Sequence, residues 1–255
     1  MGLKTKLKDK KLSIGSWITI GHPTIAEIMA KAGFDWLAID LEHSLLNISQ
    51  CQELIRVIDL CGVPSFVRVG ANEPLLIKQA MDAGAHGVIV PMVNTKEDAL
   101  RAVSAVKYPP EGTRGVGLSR AQGYGVSFNE YKKWNEEESI VIVQIEHVKA
   151  VENLKEILSV KGVDAFIVGP YDLSGSLGIP GGFDNEKMIL YMEKIRKSAQ
   201  KIGLPYGYHI VSSDPELVQE KIDQGCQFMA FGVDFLFLGD NCREGMGLLR
   251  KENGI

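Results

Sequence analysis

Charge of either sign is short of any excess in this chain. Its 28 Lys and Arg stand against 32 Asp and Glu, a net charge of −4. That balance offers no basic face for nucleic acid and no polybasic patch for an anionic membrane. No apolar run approaches the ~20 residues that span a bilayer. The basic start, Gly2-Leu3-Lys4-Thr5-Lys6, is not followed by the apolar stretch of a secretory signal, and position 6 is Lys where myristoylation wants Ser or Thr. Cysteine is scarce: Cys51, Cys61, Cys226 and Cys242 form no Cys-x-x-Cys pair and no zinc spacing. Scattered thiols of this kind belong to a reduced, cytoplasmic protein. No Gly-x-Gly-x-x-Gly follows the first apolar run and no Walker A pattern occurs, so nucleotide binding has no support. These absences leave a cytoplasmic protein that acts on a small molecule.

What is there suits one architecture. The 255 residues, 45% of them hydrophobic, fit a single α/β barrel. Short nonalternating apolar runs alternate with helical stretches throughout, and strands centre near residues 14, 37, 66, 88, 142, 166, 207 and 229. Strands of that composition are buried on both faces, and so many strand–helix units favour a (β/α)8 barrel over an open doubly wound sheet. No composition break marks a second domain, so residues 1–255 read as one barrel. Helix boundaries follow local chemistry: Gly33 ends the helix of residues 24–32, and Asp214-Pro215 opens another. The charged segment of residues 4–11 is expected to be loosely held. The Gly-, Pro- and Arg-rich stretch of residues 108–124 is expected to be a lid or binding loop.

In a parallel barrel the chemistry sits where the strands end. Two neighbouring strands deliver carboxylates there: Glu146 after Ile140–Ile145, and Asp172 in the turn after residues 164–168. The pair suits Mg²⁺ or Mn²⁺, which need few protein oxygens and keep waters and substrate oxygens. Alternatively Glu146 pairs with a surface cation and Asp172 caps a short helix. Arg68 lies within an apolar strand, so its charge must be paired or hold an anion. Asp40 and Glu42, on the strand before, could pair with it, and doing so could also orient it toward substrate. His43, beside both, could be a general base or a surface residue. His209 stands at another strand end. The run from Gly169 to Gly175 places backbone amides beside the proposed metal, or is an ordinary tight turn. Arg114-Gly115-Val116-Gly117 meets a substrate anion or is a solvated turn.

Several stretches together resemble a known family. They are Ala32-Gly33-Phe34-Asp35-Trp36 running into Ile39-Asp40-Leu41-Glu42-His43, then Val67-Arg68, and Val90-Pro91-Met92-Val93. Tyr108-Pro109-Pro110-Glu111-Gly112-Thr113-Arg114-Gly115-Val116-Gly117, Gln144-Ile145-Glu146, and residues 162–174 continue the series, so the likeness spans nearly the whole chain. The chain resembles the metal-dependent (class II) HpcH/HpaI-type aldolases of 4-hydroxy-2-oxoheptanedioate, 2-dehydro-3-deoxyglucarate and 2-keto-3-deoxy-L-rhamnonate. The resemblance implies a barrel of the phosphoenolpyruvate/pyruvate type that cleaves a 4-hydroxy-2-oxo acid to pyruvate and an aldehyde. It implies Glu146 and Asp172 as ligands of Mg²⁺ or Mn²⁺, with Co²⁺ possible. Gln144 would lie near the metal's waters or the substrate, and Arg68 would stabilise the enolate. His43 would be the base, in a dyad completed across a subunit interface by Asp82. Gly169 and the amides of Tyr171 and Asp172 would hold the pyruvate carboxylate. It also implies a homohexamer in which the last helix, residues 234–250, is exchanged between subunits.

Two departures stand out: Tyr171, where relatives have small residues, and the unmatched run of residues 118–125. Rival readings are an acyl-CoA lyase of citrate lyase β type or an oxaloacetate decarboxylase on the same metal site, and a catalytically silent barrel that serves as a binding partner.

Overall fold

A computed structural model describes residues 2–254. Strands β1 (Ser13–Ile18), β2 (Trp36–Asp40), β3 (Ser65–Arg68), β4 (Gly87–Val90), β5 (Ile140–Ile145), β6 (Ala165–Val168), β7 (Tyr206–Ile210) and β8 (Phe228–Val233) follow one another around a closed parallel barrel. Parallel pairing runs through to β1 against β8, with one register shift between Gly15 and Trp17. The expected (β/α)8 architecture is therefore the observed one.

The helices ahead of β5 are α1 (Leu3–Lys8), α2 (Pro23–Lys31), α3 (Ile48–Leu60), α4 (Pro74–Asp82), α5 (Lys96–Val106) and α6 (Phe128–Glu137). After β5 come α7 (Val148–Glu152), α8 (Leu154–Leu158), α9 (Pro170–Ser176), α10 (Glu186–Ile202), α11 (Pro215–Asp223) and α12 (Asp234–Asn253). Most start as local chemistry dictates. Asn47 and Thr95 form capping boxes at α3 and α5, and Asp214 caps α11 ahead of Pro215. His22 and His147 accept amide hydrogens at the starts of α2 and α7, which explains both histidines without chemistry. Between β5 and β6 the helical stretch is interrupted at Asn153, which ends α7 and precedes α8.

Inside the barrel, an aromatic cluster fills the end where the strands begin. Trp36 stacks on Phe228 at 4.5 Å, and Phe66 meets both rings edge-on. Gly15 makes that possible, since a Cβ there would lie 2.0 Å from the Trp36 ring. The opening segment, expected to be loose, is α1, and it plugs this end. Leu3 and Leu7 are buried in the aromatic cluster, while Lys4 and Lys6 pair with Asp164 and Asp35. Its leucines, spaced i and i+4, share one helix face. A six-residue helix would not stand alone, so tertiary burial holds it.

The long stretch also departs from expectation. It is no lid over its own rim: residues 113–125 are fastened at the opposite end of the barrel. Ser119 Oγ donates to the Asp82 carbonyl at 3.0 Å, and Arg120 pairs with Asp59 at 2.6 Å and with the Ala83 carbonyl at 2.9 Å. Among the described residues no helix is long and apolar enough to cross a membrane.

Leu7→Ala leaves a cavity under the aromatic cluster and is expected to destabilise the protein by roughly 2–5 kcal/mol. Urea denaturation at fixed protein concentration measures it. A loss no larger than that of a surface substitution would mean that α1 does not seal the barrel.

Candidate active site

The strands of a parallel barrel all end at one rim, and here the polar side chains released include the carboxylates of Asp40, Glu42, Glu146 and Asp172. Asp40 and Arg68 end β2 and β3 in register. Arg68 Nε donates to Asp40 Oδ1 at 2.8 Å and Nη2 to Oδ2 at 2.6 Å, with both residues buried. Burial alone would raise the Asp40 pKa, yet the paired guanidinium outweighs it and holds the carboxyl below the usual range. Asp40 Oδ1 also accepts the amides of Glu42 at 3.0 Å and His43 at 3.3 Å, and the Asp40 carbonyl accepts the Ser44 hydroxyl. One carboxylate thus aims the arginine and shapes the loop that carries the histidine.

Trp17 lies beneath, with Arg68 Cζ 4.5 Å from its ring centroid. Sequence reasoning missed Trp17, because an aromatic inside an apolar strand reads as core. His209 meets the same ring at 5.2 Å, and its Nε2 lies 3.3 Å from the Gly232 carbonyl. Burial, with the Arg68 charge adding, drives this imidazole down to about 3, so it stands as a neutral neighbour of the arginine.

Glu146 follows β5 at 2% exposure. The Met92 amide donates to its Oε1 at 2.6 Å and Gln144 Nε2 donates to its Oε2. No surface cation pairs with it among the described residues, against one of the two sequence alternatives. The role of Met92 had no signal in the sequence, since it is the backbone, at φ 52°, that does the holding. Burial pushes the Glu146 carboxyl up to about 7, with the charges of Glu42 and Asp172 adding and the Met92 and Gln144 hydrogen bonds opposing. Half-buried Glu42 also rises to about 7. Burial is again the main cause, Arg68 opposes, and Asp40 and Asp172 add. Arg68 Nη1 lies 3.4 Å from Glu42 Oε2.

Glu42, Glu146 and Asp172 therefore act on one another across a single opening, an arrangement that favours a cation. Gln144 Oε1 is buried without a hydrogen-bond partner. Gly169 keeps the space open: a Cβ there would come within 2.8 Å of Glu146 Oε2 and 3.0 Å of Gln144 Nε2. Among the described residues no group of three or more His, Cys, Asp or Glu side chains stands in ligating geometry. Two carboxylates with a free amide oxygen nearby nevertheless fit Mg²⁺ or Mn²⁺, which fill their remaining positions with water and substrate.

Asp172 occupies the first turn of α9, where its own amide and that of Tyr171 have no intrahelical acceptor. The Tyr171 ring is exposed and meets Phe183 edge-on at 4.9 Å. His43 is the outlying member: its side chain is 62% exposed, with Nε2 3.9 Å from Glu42 Oε2.

The rim thus gathers Asp40, Glu42, His43, Arg68, Gln144, Glu146, Gly169, Tyr171 and Asp172. It does not gather Asp82, which ends α4 at the far end of the same barrel and pairs with Arg114 at 2.6 Å. Nor does Arg114 fit either sequence alternative, for it is a buried structural cation within its own chain.

The raised Glu146 carboxyl has a stability consequence in metal-free protein. Its folded-state pKa, about 7, exceeds the unfolded value of 4.5, so ionisation weighs against the fold. That penalty is absent below about pH 4.5, grows between there and 7, and is complete above. Glu146→Gln removes it and offers an amide to the orphaned Gln144 Oε1. The metal-free variant should melt above wild type at pH 8, with the difference shrinking toward pH 5. An equal difference at both pH values would contradict the assignment.

Known proteins carry the same framework. The profile of the family HpcH/HpaI aldolase/citrate lyase matches residues 13–239. A 2-dehydro-3,6-dideoxy-6-sulfogluconate aldolase of Pseudomonas putida is 39% identical over 242 residues, covering 93% of this chain and 92% of that protein. A hydroxypyruvate/pyruvate aldolase of Cupriavidus necator is 35% identical, covering 98% of this chain and 92% of its own. The crystal structure of an HpcH/HpaI aldolase/citrate lyase family protein from Burkholderia cenocepacia superposes with a TM-score of 0.92 at 31% identity, over 97% and 98% of the two chains. A barrel built and matched over nearly its full length in this way belongs to the HpcH/HpaI aldolase/citrate lyase family.

Proposed function

We propose that this chain is a class II pyruvate aldolase, cleaving a 4-hydroxy-2-oxo acid reversibly to pyruvate and an aldehyde. The observation that carries the reading is the meeting of a buried, carboxylate-aimed guanidinium with a crowd of carboxylates at one barrel rim. Glu146 and Asp172 would hold Mg²⁺, Mn²⁺ or Co²⁺, which supplies Lewis acidity toward the keto group of the substrate. The amides of Tyr171 and Asp172, beside Gly169, donate to the pyruvate carboxylate. Arg68 retains N–H hydrogens beyond its fork to Asp40 and turns them to the keto oxygen, where negative charge gathers. Gln144, tied to Glu146, directs its free carbonyl oxygen toward a bound water or the substrate. In the cleavage direction His43 accepts the proton of the C4 hydroxyl and the C3–C4 bond breaks. The aldehyde leaves, and the enolate takes a proton at C3 to become pyruvate.

One chain leaves this site unfinished. His43 is exposed, and the carboxylate that orients it is assigned to the partner's Asp82. The last helix supports assembly from copies of the chain. Only Asp234 of α12 is buried, while Phe235, Leu238, Met246, Leu248 and Leu249 are each at least half exposed. Three interior glycines, Gly239, Gly245 and Gly247, each weaken the helix by ~1 kcal/mol relative to alanine. A helix so composed needs a partner surface, as subunit exchange in a homohexamer provides.

Deuterium exchange into the pyruvate methyl group, followed by NMR in D₂O, tests the enolate step without the aldehyde. Exchange should require Mg²⁺ or Mn²⁺, vanish with chelator, and fall by at least ~100-fold in His43→Ala and Arg68→Ala. Absence of exchange in folded, metal-loaded protein would overturn the pyruvate reading and turn the search to thioester substrates.

A further inference from the structure

Asp82 sits where an acid is electrostatically out of place. It is the last residue of α4, whose C-terminal end carries negative partial charge and no basic residue in its last turn. One cation compensates. Arg114 Nη2 donates to Asp82 Oδ1 at 2.6 Å, and Nη1 donates to the Tyr131 hydroxyl at 3.0 Å and to the Val106 carbonyl at 3.4 Å. The Arg114 side chain is fully buried, with Cζ 4.6 Å from the Tyr108 ring centroid and 5.4 Å from that of Tyr131. Tyr131 is in turn fixed, its hydroxyl 3.3 Å from the Met81 carbonyl. The guanidinium is therefore held between two aromatic rings set edge-on to each other and by hydrogen bonds along its edge.

The carboxylate it holds is not closed off. The Asp82 side chain is 23% exposed, and Oδ1 takes the bond to Arg114 while Oδ2 accepts none among the described residues. Around it, residues 113–126 present Val116, Leu118, Tyr124 and Val126 to solvent, each more than half exposed. A carboxylate with one oxygen anchored and the other outward, set in an exposed apolar surface, is prepared to accept a hydrogen bond from another molecule.

We infer that Arg114 is a positioning residue for the aldol site of the neighbouring subunit. It fixes the orientation of Asp82, so that the free oxygen meets His43 of the partner subunit. The inference rests on the aldolase reading with its dyad shared between copies, and adds the residue that sets the dyad's geometry. Arg114 touches neither substrate nor metal. A clamped guanidinium matters here because a misplacement of about 1 Å in a catalytic group costs on the order of 100-fold in rate.

The test uses the assembled protein and metal-dependent deuterium exchange into pyruvate, with oligomeric state checked by light scattering. Arg114→Gln should lower kcat by on the order of 10- to 100-fold and leave KM for pyruvate unchanged. Asp82→Asn should do the same, and the double variant should be no slower than the slower single one. Arg114→Lys, which keeps the charge, should recover part of the rate. If Arg114→Gln does not assemble, Tyr131→Phe replaces it. That change removes one bond to the guanidinium, keeps the ring, and should slow kcat by roughly 3- to 10-fold, with no further loss when added to Asp82→Asn. Wild-type exchange in an assembled Arg114→Gln, or full additivity with Asp82→Asn, overturns the inference while the aldolase reading stands. Wild-type exchange in Asp82→Asn removes the shared dyad and the inference with it. Absence of exchange in the parent protein would instead be failure of the pyruvate reading itself.

Discussion

A guanidinium taken out of water at the mouth of the barrel has to be neutralised by the fold that buries it. Asp40 does so with both oxygens, from the neighbouring strand and in register. Much of the rim depends on that pair. The same carboxylate caps the loop holding Glu42 and His43, and the guanidinium lies over Trp17, which also carries His209. The remaining acids, Glu42, Glu146 and Asp172, find too little positive charge to go round. Burial and mutual repulsion lift two of them to about 7. Such a mouth is costly when empty and suited to a divalent ion, the usual trade of stability for function at a site.

The two ends of the barrel divide the work. At the end where the strands begin, Trp36, Phe66 and Phe228 pack without polar purpose, and α1 closes over them. At the end where they finish, Arg68 and Asp40 neutralise each other, Glu146 is held by neutral donors, and Gln144 Oε1 is left without a partner. This is the common partition of stability and chemistry in (β/α)8 proteins. Residues 113–125 cross it. They leave the rim side altogether and grip the end of α4, holding Asp82 at the surface beneath.

That arrangement makes the single chain incomplete in two respects. Among the described residues the His43 imidazole has only Glu42 as an ionic partner, at 3.9 Å, and α12 exposes Phe235, Leu238, Met246, Leu248 and Leu249 by at least half. In the proposed assembly both gaps are answered by copies of the same chain, since an exposed imidazole and an outward carboxylate complement each other. Under this reading the apolar loop around Asp82 packs against a rim.

Much of this was legible in the residues themselves. The (β/α)8 order followed from periodicity, because strands buried on both faces have to be short apolar runs. Glu146, Asp172, Arg68 and Asp40 stood out because a charge ending an apolar strand has few explanations. Other features had no local signature. Leu3 and Leu7 read as part of a loose basic tail, since burial against Trp36 and Phe228 is a contact between distant segments. Trp17 reads as core, Met92 contributes only its amide, and Arg114 reads as a substrate-anion contact or a solvated turn, neither of which announces a buried partner for Asp82. The order of strands and helices, and the charged side chains at strand ends, follow from pattern along the chain. Which charges meet, which are crowded to a pKa near 7, and which carboxylate is turned outward become visible only once the chain is folded. Those outcomes depend on distance and burial, and both are set by segments far apart in the sequence.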